Sequence, residues 1–366
     1  MKIVIISRLI YPANAPRPVR ATELAKEFAR QGHDVTLYGV LGNYNYTIFE
    51  KKTGIKVKSL GSPFFARLNS DGSHSFKFID RVLRRILGRW FEFPDCELGG
   101  NVYKSLKKES NIDLLITVAV PFSIHWGAAF SKTFCPEQFP KTWVADCGDP
   151  FMGNPFHKKP FYFKYVEKWF CRKADFLTVP IEDAKEAYYS EFTDKIRVIP
   201  QGFRFDEVDI KGNYSNNAIP TFIYAGVFYP KMRDPRPLLD YLLELNLDFK
   251  FIVYTKSSNI LEPYKMKMKD KLVINNYIPR KELLIEMSKA DFLLNIENNT
   301  TKQSPSKLID YMLSNRPILS LNTSNQFDKT VLMEFFKGDY TNALRIENVD
   351  QYNISSIVQE FIKLTK

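Results

Sequence analysis

Apolar residues in this chain come in short runs of strand length, separated by longer stretches of helical period. Lys2 to Ser7 is a buried-strand pattern. Val19 to Gln31 places Leu24, Ala25, Phe28 and Ala29 on one helical face and is closed by Gly32. Asp34 to Val40 reads as the next strand, so the chain opens on a βαβ unit. Further strands are expected at Asp113–Val118, Trp143–Asp146, Ala174–Val179 and Ile196–Ile199. Polar residues then dominate from Asp206 to Asn217, a linker composition. A second apolar set follows at Thr221–Gly226, Phe249–Tyr254, Leu272–Ile274, Asp291–Ile296 and Ile318–Leu321, with helical patterns between. Two alternating halves predict an α/β protein of two facing Rossmann-like domains with a cleft between them. The expected boundaries are 1–205, a linker at 206–219, 220–348, and a terminal helix segment at 349–366.

The most specific stretch runs from Asp291 to Leu321. It reads as strand, loop, short helix, strand, with Ser306 as a cap and Asn315 with Pro317 as the stop. Such a unit aims a helix N-terminus at the crevice beyond the strand ends, where anions are held. Lys307 adds a positive charge there, and Asp310, one turn in, can accept hydrogen bonds from neighbouring hydroxyls. A phosphate site beside a diol site describes a nucleotide.

Pro305-Ser-Lys-x-x-Asp310-Tyr, followed by Arg316-Pro-Ile, resembles the nucleotide-sugar motif of family-4-like glycosyltransferases of GT-B fold, in the Pro-Ser-Lys subgroup of bacterial surface-polysaccharide transferases. The resemblance implies that Asp310 holds the donor ribose. Relatives carry a Glu eight residues before that position, where this chain has Lys302. It further implies that the loop after Gly226, with Lys231 and Arg233, meets the donor diphosphate, and that Tyr277 and Ile278 meet the base through backbone groups. In relatives the terminal helix crosses back to the first domain. Uridine is the base expected from its frequency in the family.

Composition narrows the alternatives. With 366 residues, two domains of ordinary size are expected. Four scattered cysteines, with no Cys-x-x-Cys pair, read as buried free thiols in a reducing cytoplasm. No signal peptide and no run of about 20 apolar residues is seen. The net charge of +11 asks for an anionic partner, but no nucleic-acid-binding signature occurs. The loop from Arg8 to Arg20 lacks Gly-x-Gly-x-x-Gly, which argues against a dinucleotide. No Asp-x-Asp is present, so a metal clamp is not expected and no cofactor is required.

Candidates for the chemistry are few. Asp149, in Asp146-Cys-Gly-Asp-Pro, is a catalytic candidate or an Asx-turn residue. His125 is a second candidate, with a satisfied structural histidine as the plainer reading. Arg8, Arg17 and Arg20 either hold an acceptor phosphate or are surface charges. Residues 77–91 form a basic amphipathic pattern, with Lys77, Arg81, Arg85 and Arg89 on one row, suited to an anionic membrane surface or to packing on its own domain. The expected activity is a retaining transfer of a sugar from a nucleotide-diphosphate sugar to a glycan or lipid-linked acceptor, at the cytoplasmic face of a bacterial-type membrane. A nucleotide-sugar epimerase and an inactive nucleotide-sugar-binding scaffold are the alternatives.

Overall fold

The computed structural model describes residues 1–64, 85–154, 158–206, 216–230, 233–297, 306–323, 327–346 and 348–365; Ser306 and Lys307 are described by their backbone alone. The chain divides into two compact units, Met1–Phe203 with Gln351–Lys366, and Arg204–Asp350.

The first unit is built on seven strands: β1 (Lys2–Ser7), β2 (Asp34–Gly39), β3 (Lys56–Ser59), β4 (Leu114–Ala119), β5 (Thr142–Cys147), β6 (Phe176–Val179) and β7 (Ile196–Val198). Their order is β3-β2-β1-β4-β5-β6-β7, and every pairing is parallel. Its helices include α1 (Pro16–Arg30), α2 (Thr47–Thr53), α3 (Glu97–Leu106), α4 (Ser123–Phe134) and α5 (Phe163–Lys173). A parallel sheet is covered on both faces, and the strands are apolar on both sides accordingly. Ile3 and Ile5 pack with Leu24, Ala25 and Phe28 of α1, while Val4 and Ile6 face Val102 of α3, Ala128 of α4 and Phe170 of α5.

The second unit holds β8 (Thr221–Ala225), β9 (Lys250–Tyr254), β10 (Leu272–Asn275), β11 (Phe292–Ile296) and β12 (Ile318–Leu321), in the order β10-β9-β8-β11-β12, again all parallel. Its helices are α6 (Arg236–Glu244), α7 (Glu262–Met268), α8 (Arg280–Ser288), α9 (Ser306–Leu313) and α10 (Lys329–Phe336). Phe222 stacks between Phe251 and Phe292 on one face, at 4.4 and 5.0 Å between ring centres. Ile223 and Ala225 face Leu284, Met287 and Tyr311 on the other.

The last helix, α11 (Ile354–Lys363), packs in the first unit: Ile354, Ile357, Val358 and Phe361 join the core beneath α1. Ile354 is anchored by its N–H to the Phe203 carbonyl at 2.9 Å. The strand readings of the sequence fall within one or two residues of the observed ends. Helix α1 begins at Pro16, ahead of the expected Val19, because prolines suit the first helical turn.

One buried group makes this unit sensitive to pH. Glu167, in α5, is fully buried and accepts from the Tyr189 hydroxyl at 2.8 Å and from the Met152 N–H at 3.4 Å, tying the segment after Asp149 to the helix. Burial raises its carboxyl from 4.5 to about 7, against the opposing hydrogen bonds from Tyr189 and Met152. Proton binding is therefore tighter in the folded state. The stability it confers is complete below pH 4.5 and is lost as pH rises through 7. The loss by pH 8 is on the order of 3 kcal/mol. Glu167→Gln is expected to raise the unfolding midpoint at pH 8 and to change it little at pH 5. Urea denaturation at the two pH values measures this, and equal effects at both would contradict it.

Candidate functional site

In each sheet the first strand lies inside, so the order in which successive strands are added reverses beside it. The two crevices created open at the C-terminal ends of β1 and β4 and of β8 and β11, the positions where doubly wound folds bind ligands.

At the second crevice, β8 runs into Gly226, whose φ of +147° favours glycine. The chain then turns back on itself: Tyr229 and Arg233 exchange backbone hydrogen bonds of 3.2 and 2.7 Å. This returns the Arg233 guanidinium to 5.1 Å from the Tyr229 ring centre. Its Nε is buried with no hydrogen-bond partner among the described residues, a donor waiting for an acceptor. Burial pushes the neighbouring Tyr224 phenol up to about 12, and Arg233 pulls the other way by charge and hydrogen bond.

Helix α9 is pinned to the same strand end. The Tyr311 hydroxyl accepts from the Ala225 N–H at 2.9 Å, and the ring is 1% exposed. Burial raises the Tyr311 phenol far above its ordinary range; Asp310 adds to the rise and Arg233 opposes it, so both charges lie within electrostatic reach of one hydroxyl. Asp310 is partly exposed, at 22%, and its Oδ1 accepts from Arg280 Nε at 2.8 Å. Arg280 is the first residue of α8, where a cation opposes the helix dipole. Pairing with Asp310 offsets that cost and fixes the carboxylate's orientation. Asn315, with φ of +55°, ends α9 as expected.

Beyond β9 and β10 lies a groove of about 500 Å³, lined by Tyr254, Asn275, Ile278 and Glu282 among others. Tyr277 is 51% exposed and carries Lys256 Nζ at 4.7 Å from its ring centre. Gly226, Arg233, Tyr277, Ile278 and Asp310 thus all occupy the C-terminal edge of one sheet. Lys231 and Pro305 lie outside the described residues, as does Lys302. Ser306 and Lys307 form the first turn of α9.

The first crevice is different. A pocket of about 490 Å³ is lined by Ser7, Arg8, Leu9, Arg17, Val120 and Asp149 among others. Asp149 faces it but is paired with Arg17, Nη2 to Oδ2 2.9 Å. Arg8 pairs with Asp95 at 2.7 Å. Arg20 is a correction to its expected role as a surface or phosphate-binding charge. It is 3% exposed, and its Nε and Nη2 donate to both oxygens of buried Asp146, at 2.6 and 2.7 Å. It also donates to the Pro200 and Ile199 carbonyls. Burial works to raise the Asp146 pKa, but Arg20 and the Thr178 hydroxyl outweigh it and hold the carboxyl below its usual range. The pair is a structural bolt joining α1, β5 and β7's end.

The geometry does not support the catalytic candidacy of His125. The residue is fully buried, with Nδ1 2.8 Å from Thr117 Oγ1 and Nε2 3.6 Å from Cys147 Sγ. Burial lowers its pKa to about 3, so the ring stays neutral, and it has no surface from which to exchange a proton with a substrate. All four cysteines are free, Cys147 and Cys171 buried. Among the described residues no cluster of histidine, cysteine and acidic side chains is fit to hold a metal, and no helix is long and apolar enough to cross a membrane.

Three residues were missed by sequence reasoning. Tyr311 stood in the quoted motif, and a polar-tipped aromatic in an apolar helix was its signal. Arg280 was marked by its place at a helix start. Ser7 was marked as a polar residue closing an apolar strand at a switch point.

No protein-family model matches the chain, and no curated protein does. Among solved structures it is similar over 100% of its length to a glycosyltransferase from Rickettsia africae ESF-5, at TM-score 0.65 and 12% identity, covering 97% of that chain. It is similar in the same way to the lipopolysaccharide outer core galactosyltransferase WaaB in its apo form, at TM-score 0.61 and 13% identity over 100% of this chain and 99% of the other. A third is Anabaena HepE in complex with UDP-glucose, at TM-score 0.59 and 10% identity over 99% and 98% of the two chains. At such identities the likeness speaks to the fold, which is the α/β GT-B fold of two Rossmann-like domains.

Replacing Tyr311 by Phe removes the acceptor of a buried backbone N–H, which costs about 1–3 kcal/mol. Tyr311→Phe is expected to lower the urea midpoint accordingly. A midpoint equal to the parent's would show that α9 is not held through this bond.

Proposed function

We propose that the chain is a glycosyltransferase that takes its sugar from a nucleotide-diphosphate sugar held by the C-terminal unit. The supporting observation is that the end of β8 and the start of α9 present, on one sheet edge, an arginine whose buried Nε has no partner among the described residues and a carboxylate set one helical turn in. Arg233, with Lys231, meets the diphosphate, and Pro305, Ser306 and Lys307 bring the start of α9 and a cation to it. Asp310 accepts from the ribose hydroxyls, held in place by Arg280. Tyr277 and Ile278 flank the base. Uridine is the proposed base; HepE, a structural neighbour, is described in complex with UDP-glucose.

The reaction breaks the bond from the anomeric carbon to the diphosphate and forms one to an acceptor hydroxyl. In the retaining course proposed here, the departing phosphate oxygen takes the hydroxyl proton. The protein then contributes positioning and charge stabilisation of the leaving group, with cations in place of a metal. The N-terminal unit receives the acceptor, a glycan or lipid-linked glycan precursor for a surface polysaccharide, with Asp149 at its pocket. Residues 85–91 are helical and expose Arg85 and Arg89 together with Ile86, Trp90 and Phe91. That surface suits an anionic membrane on the cytoplasmic side; the rest of the 77–91 pattern, including Lys77 and Arg81, lies outside the described residues.

Asp310→Ala and Arg233→Ala should each weaken binding of uridine diphosphate by about tenfold or more in calorimetry, equivalent to about 1.4 kcal/mol. Unchanged affinity in both would refute the donor site. Product analysis separates the reading from an epimerase, which releases an altered nucleotide sugar without an acceptor, and from a scaffold, which turns over nothing.

A further inference from the structure

The pocket at the ends of β1 and β4 is shaped for charge. Leu9, Ala15, Pro16, Pro18 and Val120 give it apolar walls, and its charged lining is Arg8 and Arg17 against the single carboxylate of Asp149. Ser7, the last residue of β1, lines it too. Ser7 is 1% exposed, and its Oγ has no hydrogen-bond partner among the described residues. A buried hydroxyl left in this state is destabilising, and a ligand oxygen would satisfy it. Helix α1 begins at the same pocket with no side-chain cap; Pro16 and Pro18 carry no N–H, so its first turn offers an anion the helix dipole and the Arg17 N–H alone.

Arg17 is seated for the role. Its guanidinium lies on the backbone of Gly148, where an added Cβ would fall 1.6 Å from Nη1. Only glycine at that position lets the fork lie where it does. The Arg17–Asp149 pair is partly exposed, at 20% and 48%. Pairs of this kind are worth about 0–1 kcal/mol and exchange readily. The contrast with Arg20 is direct: that guanidinium is committed to a buried carboxylate and two carbonyls, whereas Arg17 holds a half-exposed partner by a single hydrogen bond.

We infer that the acceptor carries an anionic group, a phosphate or carboxylate, which binds Arg17 and Ser7 in place of Asp149. The inference deepens the acceptor assignment of the N-terminal unit and rests on it. An incoming phosphate can engage the arginine fork with two oxygens and accept from the Ser7 hydroxyl as well. Asp149 is the stand-in that occupies the cation until the acceptor arrives. Once displaced, its carboxylate faces the pocket without its counter-ion, beside the acceptor it has made room for. No covalent step is involved.

Calorimetry of the full chain with inorganic phosphate tests this, with uridine diphosphate absent and then saturating. Arg17→Gln should weaken phosphate by about tenfold, Arg17→Lys by less, and Ser7→Ala by about threefold, whereas Asp149→Asn should strengthen it severalfold. Arg17-dependent binding should persist under saturating uridine diphosphate. Equal phosphate affinity in parent and Arg17→Gln would overturn the proposal, as would weaker binding in Asp149→Asn. Displacement of Arg17-bound phosphate by uridine diphosphate would assign the anion to the donor and overturn the acceptor reading. Failure of the donor site is recognised separately, because the effect of Arg17 on phosphate does not pass through Arg233 or Asp310.

Discussion

Parallel pairing is the constraint from which this protein's chemistry follows. Every strand pairing in both sheets is parallel. Each crossover must then pass over a sheet face, and all strands of a sheet end at one edge. Placing the first strand inside forces the connections to part on either side of it. A crevice at the ends of β1 and β4, and another at β8 and β11, is a consequence of that topology before any side chain is specified. The sequence then differentiates the two.

At the second crevice the side chains are arranged to hold a ligand in a fixed pose. Tyr311 ties α9 to the last N–H of β8, Arg280 orients Asp310, and Gly226 lets the chain turn so that Arg233 comes back over Tyr224 and Tyr229. Each of these contacts lies in the second unit and depends on no part of the first. At the first crevice the deep charge pair, Arg20 with Asp146, fastens α1 to the sheet, and the shallow pair, Arg17 with Asp149, is left exchangeable. Depth separates structural from functional charge here: a buried ion pair is fixed by the cost of stranding either partner, while a half-exposed one gives way to a better-fitting anion.

Much of this was legible beforehand. The strands announced themselves because a parallel sheet demands apolar residues on both faces, giving continuous runs such as Ile3 to Ile6 and Phe292 to Leu294. The helix bearing Asp310 was bounded by Asn315 and Pro317 for stereochemical reasons that hold in any context. What sequence could not resolve was depth. Arg8, Arg17 and Arg20 look alike on the page, yet Arg20 is buried and the others are not, because its position on α1 turns it toward β5. His125 near a helix start likewise suggested chemistry, and only packing by Phe122 and Phe170 shows it enclosed. The edge strand β3 was missed because its Lys-Val-Lys-Ser alternation is polar and short. Arg280 and Asp310 are 30 residues apart, and a pairing over that distance has no local signature.

The central claim is that the second crevice grips a nucleoside diphosphate through Asp310 and Arg233. A crystal structure with bound uridine diphosphate tests it most directly. The account predicts the ribose hydroxyls within hydrogen-bond distance of the Asp310 carboxylate and phosphate oxygens on Arg233 Nε and the first turn of α9. A nucleotide bound elsewhere, with Asp310 still paired with Arg280 and off the ribose, would contradict it.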